Sequence, residues 1–525
     1  MSHTLKNIWH KVTAPDSPPP SEPLPPSEDQ IDIPTFPAYD PVISEIYRHR
    51  RHIGVNLGSM FILEKWLCPP ALCSWVISKP WDSELDFLDA AGSSLQAREA
   101  LEEHWRTFIT ESDFEWMQSI GINAVRVPIG YWVAGQDYMI GDFKKYQGVY
   151  DSAWARLLTL IDMAGKHNIG VLIDLHGAPG GQNGDTHCGI STHKAELFNS
   201  NHTMDVALQA LTRLAKDLAP INHIIGIEVL NEPIDHPELA TFYQKAYKAI
   251  RSVHPDIVLP IYFGDAWNIK KYSTWLNQSG MKFVVVDTHQ YFCHMPADHA
   301  KSVEQHIKDV QTNIASQLQF SANNVTGNVI VGEWSVVLNG KSIEKSRRKD
   351  AEAMKAFGQA QLNVYDQNCA GWFYWNYRTG DDGWYWSFRY CVRNGIMPSH
   401  YHQGQIPPDA VQAVQQQAQE EKDKRMETAF SQHTNYWSNH GLPNCPDFWR
   451  FQEGFQAGST VALRFLANGQ GSRIGFKRQL TMEYSDDHLR RHHGSTKSVL
   501  WHFEHGFVQG LEAIEQIIQQ TIARQ

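Results

Sequence analysis

Short apolar runs alternate with longer amphipathic stretches along most of the chain, from about Arg51 to Pro398. The short runs are rich in β-branched residues and have the length of buried strands. The longer stretches carry apolar residues at helical spacing, most clearly at 153–167, 206–218, 239–253 and 302–318. Eight of the short runs predict strands, which begin at His52, Ala124, Gly170, Ile224, Val258, Phe283, Val329 and Gly371.

Eight strand–helix alternations favour a closed parallel (β/α)8 barrel, the TIM barrel, within the α/β class. A doubly wound open sheet would need a glycine-rich phosphate turn after its first strand. The GVNLGS sequence at Gly54 lacks the G-x-G-x-x-G pattern of such a turn. Because the carboxyl ends of barrel strands meet at one face, we expect the reactive side chains there.

The two ends of the chain lack this alternation. Prolines interrupt residues 1–40 among Ser, Glu and Asp, which predicts a disordered arm over residues 1–45. A polyproline helix that binds a partner is the alternative. The barrel is assigned to residues 46–400, and residues 401–525 to a helical extension packed on or near it. Its expected helices cover 409–430, 455–466 and 499–522, with a basic loop at 488–493.

Composition narrows the function class. The formal net charge of −11 argues against a nucleic-acid partner, and no apolar run approaches the ~18 residues of a membrane span. The first residues contain no apolar core of the kind a secretory signal needs, so we expect a cytoplasmic protein, with unconventional export to the cell surface as the alternative. Seven scattered cysteines suit free thiols better than a disulfide framework.

Two carboxylates follow buried apolar runs about a hundred residues apart. Asn231 and Glu232 come directly after the fourth run, and Glu333 ends the core of the seventh. Cleavage of a glycosidic bond requires such a pair, one carboxyl group to protonate the leaving oxygen and one to attack or stabilise the sugar cation. Further polar and aromatic side chains at strand ends are Asn56, Arg126, His176, Asp265, His289, Tyr291 and Trp375.

The NEP sequence at 231–233 and the GEW sequence at 332–334, in this order within eight strands, resemble glycoside hydrolase family 5. Longer motifs resemble the fungal exo-β-1,3-glucanases of that family, and they lie at 54–66, 104–132, 176–184 and 371–377. The resemblance covers roughly residues 50–400. It implies a retaining hydrolase that releases glucose from the non-reducing end of β-1,3-glucan, and it implies no cofactor and no metal.

The resemblance also implies the roles of individual residues. Glu232 would be the general acid/base, with a pKa raised by burial or by the neighbouring carboxylate. Glu333 would be the nucleophile, and retention then needs the two carboxyl groups about 5–5.5 Å apart. Asn231 would hold the sugar 2-hydroxyl, and Arg126 would keep Glu333 ionised. Other residues expected to bind sugar or orient the carboxylates are Glu64, His176, His289, Tyr291 and Trp375.

The sequence departs from the family at the entrance to the expected site. The family's glucanases usually continue Phe-Asp-Asn-Ser-Gly after QNG, whereas residues 185–189 read Asp-Thr-His-Cys-Gly, and a second entrance aromatic is replaced by His294. The sequence therefore supports the release of glucose more strongly than it supports laminarin as the natural substrate. A β-glucosidase for glucosylated lipids such as steryl glucosides, transglycosylation and a non-catalytic carbohydrate-binding barrel stay open.

Two clusters of histidines, one of which includes a cysteine, contain residue types that can bind a metal ion. They are Cys293, His294 and His299, and His488, His492 and His493. Neither cluster has a second ligand pair at zinc spacing, so we expect no metal site at either.

Overall fold

The computed structural model describes residues 24, 31–74, 79–401, 408–468, 473–492 and 497–522. Most of the predicted arm lies outside the described residues. Residues 41–45, however, belong to the first helix, α1 (Pro41–His49), so the prediction of disorder is wrong for them. Asp40 caps this helix by accepting from the backbone N–H groups of Val42 and Ile43, and Pro41 occupies the first turn, where a proline favours helix initiation.

Within the described residues, eight parallel strands close into a barrel in sequence order. This confirms the predicted TIM barrel. Strand β5 begins three residues later than expected and β6 one residue later. The strands are β1 His52–Asn56, β2 Ala124–Gly130, β3 Gly170–Gly177, β4 Ile224–Glu228, β5 Ile261–Gly264, β6 Val284–Phe292, β7 Val329–Leu338 and β8 Gly371–Tyr374.

Helices surround the barrel and form its C-terminal extension. The predicted helix at 302–318 is divided by a π-helical turn at Val310–Ile314. The helices of the described residues after α1 are α2 Pro70–Ser74, α3 Glu84–Ala90, α4 Ser94–Thr107, α5 Glu111–Ser119, α6 Ala153–Lys166, α7 Asn201–Leu218, α8 Leu239–Val253, α9 Ile269–Ser279, α10 Pro296–Ala300, α11 Val303–Asp309, α12 Ala315–Asn324, α13 Gly340–Glu344, α14 Asp350–Asn368, α15 Phe388–Arg393, α16 Pro408–Asn439, α17 Trp449–Asn468, α18 Lys477–Arg491 and α19 Leu500–Ile522.

The predicted basic loop at 488–493 is helical as far as Arg491, and His493 lies outside the described residues. Its first residues form the end of α18, and His488 is fully buried with its ring stacked on Phe503 at a centroid distance of 4.4 Å. The charged residues of this segment suggested an exposed loop. In the structure they lie on the exposed face of the helix, where Asp487 and Arg491 form an ion pair four residues apart.

The C-terminal helices dock on the N-terminal end of the barrel, opposite the strand ends that carry the predicted site. The backbone N–H of Arg51 donates to the carbonyl of Arg473 at 2.6 Å, just before β1. Phe476 is buried in the lowest layer of the barrel, with its ring 5.4 Å from His52 and 5.7 Å from Phe283. The extension therefore closes the barrel floor and leaves its upper face open. The predicted boundaries between barrel and extension stay predictions.

Helices α17 and α19 approach each other closely. A Cβ atom at Gly454 or Gly458 would overlap the backbone of α19, and one at Gly506 or Gly510 would overlap that of α17. Glycine is thus required for this packing. None of the helices in the described part of the chain combines the length and the apolar character that a membrane crossing needs.

Candidate active site

The predicted site residues meet at the carboxyl ends of the strands. The sequence predicted that Glu333 lies at the end of its strand. It lies within the strand instead, because β7 continues as far as Leu338. It lies opposite His289 in the β6–β7 ladder, where the register shifts between Thr288 and His289. Such irregularities are common near active sites, where they re-aim a side chain.

Glu232 and Glu333 form one carboxylate pair. A carboxylate oxygen of each lies within 4.8 Å of the other and of a ring nitrogen of His289. Glu333 is 4% exposed, and its Oε2 lies 3.4 Å from the His289 nitrogen that also contacts Glu232. The limit of 4.8 Å joins one oxygen of each group, and it places both carboxylates around one imidazole; the separation of about 5–5.5 Å between the carboxyl groups of a retaining enzyme stays a prediction.

Glu333 is held on both of its oxygens. Arg126 donates from Nη1 to Oε1 at 2.9 Å, and the hydroxyl of Tyr291 donates to Oε2 at 2.7 Å. Burial raises the pKa of Glu333, while the charges of His289 and Arg126 act against that rise. The two donors fix the orientation of the carboxylate and stabilise its ionised form.

Glu232 is hydrogen-bonded to His289, whose Nδ1 donates to its Oε1 at 2.7 Å. The sequence predicted a raised pKa for Glu232, and this prediction is wrong. Burial alone would raise that pKa, but the hydrogen bond and charge of His289 outweigh burial and lower it to about 2. Conversely, burial opposes the charged form of His289, yet Glu333, Asp287 and Glu232 raise the pKa of His289 well above its ordinary value.

The backbone at Glu232 is also unusual. Its φ of +42° lies in the left-handed region, which non-glycine residues rarely adopt. Asn183 supports this conformation by donating from Nδ2 to the carbonyl of Glu232 at 2.9 Å. Strained backbone of this kind persists where the surrounding structure over-determines it, and it clusters at active sites.

Arg126 is the fully buried centre of an ion-pair network. It donates from Nε to Glu228 at 2.7 Å and from Nη2 to Oδ1 of Asn231 at 2.8 Å, and Nη2 lies 3.1 Å from Asp174. Burial disfavours its charge, but its carboxylate partners raise the pKa of Arg126 well above the ordinary value. Arg126 therefore stays charged and ties Glu333 to Glu228, at the end of β4, and to Asn231 just beyond it.

Sequence reasoning missed the buried carboxylates of this network, Asp174, Glu228 and Asp287. All three are at most 1% exposed. A signal was present for two of them, because Asp174 precedes His176 by two residues and Asp287 precedes His289 by two. Residues two apart in a strand share a face, so these carboxylates point into the barrel below the predicted histidines.

One side of the site is formed by His176 and its two neighbours, Asn231 and Trp375. His176 donates from Nδ1 to Asp174 at 2.7 Å and accepts at Nε2 from the Asn231 amide at 3.3 Å, which fixes the orientation of that amide. Burial lowers the pKa of His176 well below its ordinary value, so the ring stays neutral. Trp375 lies parallel to this ring at a centroid distance of 5.8 Å and an angle of 6°.

Glu64 lies on the loop after β1. Its Oε2 accepts from the indole N–H of Trp66 at 3.0 Å, whereas its buried Oε1 has no hydrogen-bond partner among the described residues. Burial, reinforced by the charge of Glu333, raises the pKa of Glu64 to about 8. A buried acceptor without a partner is costly, and a sugar hydroxyl would satisfy it.

The entrance carries two residues that sequence reasoning did not assign. Nε2 of His187 lies 3.7 Å from Oε2 of Glu232, so the departure from the family pattern reaches Glu232 itself. Trp267 is 61% exposed and stands edge-on to His289 at a centroid distance of 6.3 Å. His294, which replaces an entrance aromatic, stacks on Trp386 at 6.0 Å and 26°.

Among the described residues, one cluster of potential metal ligands lies outside the barrel mouth, at Glu453, His488 and His492. Arg450 donates to Nε2 of His488 at 2.9 Å. The neutral ring of His488 must then carry its proton on Nδ1, the atom that faces Glu453 at 3.2 Å. Nε2 of His492 lies 3.1 Å from the same carboxylate, so these residues form a polar cluster, and the expectation of no metal there stays a prediction.

Comparisons with known proteins agree with this geometry. Residues 88–381 match the cellulase model of glycosyl hydrolase family 5, and residues 418–518 match the glucan 1,3-beta-glucosidase 3 C-terminal domain. Glucan 1,3-beta-glucosidase 3 of Schizosaccharomyces pombe is 32% identical over 456 residues, which cover 84% of this chain and 91% of that protein. An uncharacterized glycosyl hydrolase of Saccharomyces cerevisiae is 29% identical over 503 residues, which cover 91% and 93%.

A solved structure shares the fold. The rutinosidase from Aspergillus niger superposes with a TM-score of 0.53 at 20% identity, covering 67% of this chain and 98% of that one. At this identity the likeness concerns the fold alone. On the family model and on the relative from Schizosaccharomyces pombe, this chain belongs to glycosyl hydrolase family 5.

Proposed function

We propose that the chain is a retaining exo-acting β-glucosidase that removes glucose from the non-reducing end of β-1,3-glucan. The observation that carries the proposal is the Glu232–Glu333 pair, with carboxylate oxygens within 4.8 Å of each other. Relatives named glucan 1,3-beta-glucosidase support the linkage. No cofactor is required, since both carboxyl groups and their supporting residues come from the chain itself.

The reaction begins with attack of Glu333 on the anomeric carbon. Glu232 protonates the leaving oxygen as the glycosidic bond breaks, which leaves glucose bound to Glu333 as an ester. In the free enzyme the required proton lies on His289, so it moves along the 2.7 Å hydrogen bond from Nδ1 to Oε1 of Glu232 as the bond to Glu333 forms. The negative charge that Glu333 loses on forming the ester weakens the hold of His289 on its proton and favours this transfer.

Water completes the cycle. Glu232, now ionised, takes a proton from a water molecule, and the resulting hydroxide attacks the anomeric carbon from the face that the leaving group occupied. The ester to Glu333 breaks and glucose leaves with its original configuration. A sugar hydroxyl that replaces this water would give transglycosylation by the same steps.

The residues around the carboxylate pair would form the sugar pocket. The Asn231 side chain is fixed by Arg126 and His176, which preorganises it for the 2-hydroxyl. Trp375 offers an apolar face to the ring. On the other side, Glu64 would bond the terminal hydroxyls through its unpartnered Oε1 atom and close the pocket beyond one glucose unit.

The entrance favours a second candidate substrate, a glucoside with an apolar aglycone such as a steryl glucoside. Large apolar side chains are exposed on loops that follow β1, β4, β5, β6 and β8, on the same face as the site. They are Trp66, Ile234, Trp267, Met295 and Trp384. Contiguous exposed apolar surface marks binding sites for apolar partners, and we infer that these loops supply it at the entrance.

The test is glucose release from laminaribiose, laminarin, aryl β-glucosides and steryl glucoside by the wild type, Glu333→Gln and Glu232→Gln. We expect the Glu333 change to abolish turnover on all of them. We expect azide to rescue Glu232→Gln on activated aryl glucosides, because a good leaving group needs no proton and azide needs no base. Glu115→Gln, at an exposed carboxylate of α5, is the matched control and should behave as wild type.

Three outcomes would decide against parts of the proposal. Wild-type activity in either site variant would remove the mechanism. Sugar binding without hydrolysis by the wild type would identify a non-catalytic carbohydrate-binding barrel. A higher kcat/KM for steryl glucoside than for laminaribiose would replace β-1,3-glucan by the lipid glucoside as the substrate.

A further inference from the structure

Glu232 uses only one of its two carboxylate oxygens for a hydrogen bond within the protein. Oε1 accepts from Nδ1 of His289 at 2.7 Å, whereas Oε2 has no hydrogen-bond donor among the described residues. A general acid must come within about 2.6–3.2 Å of the atom that it protonates. Oε2 is therefore the oxygen left to meet the glycosidic oxygen of a bound substrate, and the side chains beside it face the first atoms of the aglycone.

His187 lies beside this free oxygen. Its Nε2 is 3.7 Å from Oε2 of Glu232, which is too long for a hydrogen bond. A group bonded to a glycosidic oxygen at Oε2 would lie next to the imidazole. The ring also stands edge-on to that of His176 at a centroid distance of 5.0 Å and an angle of 82°, and the side chain is 17% exposed. His187 therefore borders both the place of proton transfer and the entrance.

Asn183 determines how this imidazole can form hydrogen bonds. Oδ1 of Asn183 accepts from the backbone N–H of Asp185 at 2.9 Å, and Nδ2 donates to the carbonyl of Glu232 at 2.9 Å, so the orientation of the amide is fixed. Nδ2 also lies 3.1 Å from Nε2 of His187, and this nitrogen must then accept. The neutral ring consequently carries its proton on Nδ1. Within the part of the chain that the structure describes, Nδ1 has no hydrogen-bond acceptor.

The turn that carries this imidazole is held by buried contacts. Residues Thr186–Cys188 form a 3-10 turn. Cys188 is 1% exposed, and its thiol donates to the amide oxygen of Asn183 at 2.8 Å. Gly189 follows with a φ of +88°, and a Cβ atom there would overlap a neighbouring tryptophan ring, so glycine is required. The imidazole is thus positioned before a substrate binds, which reduces the entropy that binding must offset.

We propose that His187 is a specificity-determining residue, which donates from Nδ1 to a hydroxyl oxygen of the aglycone and so selects a sugar next to the scissile bond. The inference rests on the proposed function and decides between its two candidate substrates. In a β-1,3-glucan the glycosidic oxygen joins a glucose unit that carries hydroxyl groups on both adjoining carbons. A steryl group offers only hydrocarbon there. A site built to bond a hydroxyl group disfavours an analogue without one, because its own polar group is left unpaired.

The experiment compares kcat/KM for laminaribiose with that for cyclohexyl β-glucoside, whose aglycone is a ring of similar size without hydroxyl groups. Both leaving groups need a proton, so a loss of acid catalysis affects both substrates. The ratio of the two values does not depend on the fraction of active protein. His187→Phe keeps a flat ring without the donor, and we expect the ratio of laminaribiose to cyclohexyl glucoside to fall about tenfold or more.

Two further variants show whether the donor is responsible. His187→Gln supplies an amide N–H group and should recover part of the wild-type ratio. His202→Phe, at an exposed histidine of α7, is the matched control and should keep the wild-type ratio.

The outcomes separate the inference from the proposed function. A wild type that hydrolyses neither glucoside would contradict the proposed function and the inference with it. An active wild type whose ratio is unchanged by His187→Phe would overturn the inference and leave the proposed function in place. An equal fall of kcat/KM on both substrates would show that His187 acts on Glu232 and not on the aglycone, and it would overturn the inference as well.

Discussion

His289 donates from Nδ1 to Oε1 of Glu232 across 2.7 Å, and the same nitrogen lies 3.4 Å from Oε2 of Glu333. One imidazolium thus faces both carboxylates of the pair, and on its other side Nε2 lies 3.7 Å from Asp287. The catalytic proton therefore belongs to the His289–Glu232 pair and not to Glu232 alone. Titrations of such coupled groups are properties of the pair.

The first prediction concerns the pH dependence of His289→Asn. In the wild type the site keeps its proton until the pH rises through the raised pKa of His289. Without the imidazole, Glu232 must hold the proton itself, at a carboxyl pKa that lies lower than that of the histidine. We expect the alkaline limb of the kcat/KM profile to move to lower pH, and the maximum to fall about 100-fold or more. An alkaline limb at the wild-type pH would show that His289 does not hold this proton.

The second prediction concerns Arg126→Lys. A lysine keeps the charge but cannot contact Glu228, Asn231 and Glu333 at the same time, since it lacks the planar fork of donors. We expect kcat/KM to fall about 100-fold and the free energy of unfolding to drop by about 1–3 kcal/mol, the cost of a buried group left unsatisfied. Arg213→Lys, in a part-exposed pair with Asp217 on α7, should change neither. Equal behaviour of the two variants would contradict the role of Arg126.

The barrel was predictable because its strands depend on local sequence, whereas the roles of the site residues stay predictions. Buried strands need continuous apolar runs, and each predicted run contains a strand of the barrel. The extent of β7 was not predicted. The predicted strand ended at Ser335, whereas apolar residues continue the observed strand as far as Leu338.

The electrostatics of the site could not be predicted in the same way. The pKa of Glu232 is decided by His289, 57 residues away, through a hydrogen bond that exists only in the folded barrel. His187 reaches Glu232 by the same kind of tertiary contact. Sequence position gives the residue types available to a site, whereas distances between ring nitrogens and carboxylates decide which one carries the proton.

The third prediction concerns Glu64→Ala. Removal of the carboxylate deletes the acceptor expected for the terminal glucose hydroxyls and also frees the indole of Trp66. We expect kcat/KM for laminaribiose to fall about 10- to 100-fold, since a buried polar group left without its hydrogen-bond partner costs about 1–3 kcal/mol. Steady-state kinetics on laminaribiose and on an aryl β-glucoside check this, and unchanged values on both substrates would exclude Glu64 from the pocket.

The fourth prediction concerns the floor of the barrel. Phe476→Ala removes the aromatic side chain that the C-terminal extension inserts among His52, Phe283 and Phe373. We expect the free energy of unfolding to fall by about 3–5 kcal/mol. Phe320→Ala, at a phenylalanine of α12 that is 45% exposed, should change it by about 0.5 kcal/mol or less. Denaturant unfolding measures both, and equal midpoints would show that the extension does not stabilise the barrel.

The most direct test of the carboxylate pair is the configuration of the first product. Proton NMR during hydrolysis of an aryl β-glucoside distinguishes the two anomers of glucose before they interconvert. A double displacement by Glu333 and Glu232 predicts that β-glucose appears first. Initial formation of α-glucose would show a single displacement by water, and it would contradict a nucleophilic Glu333.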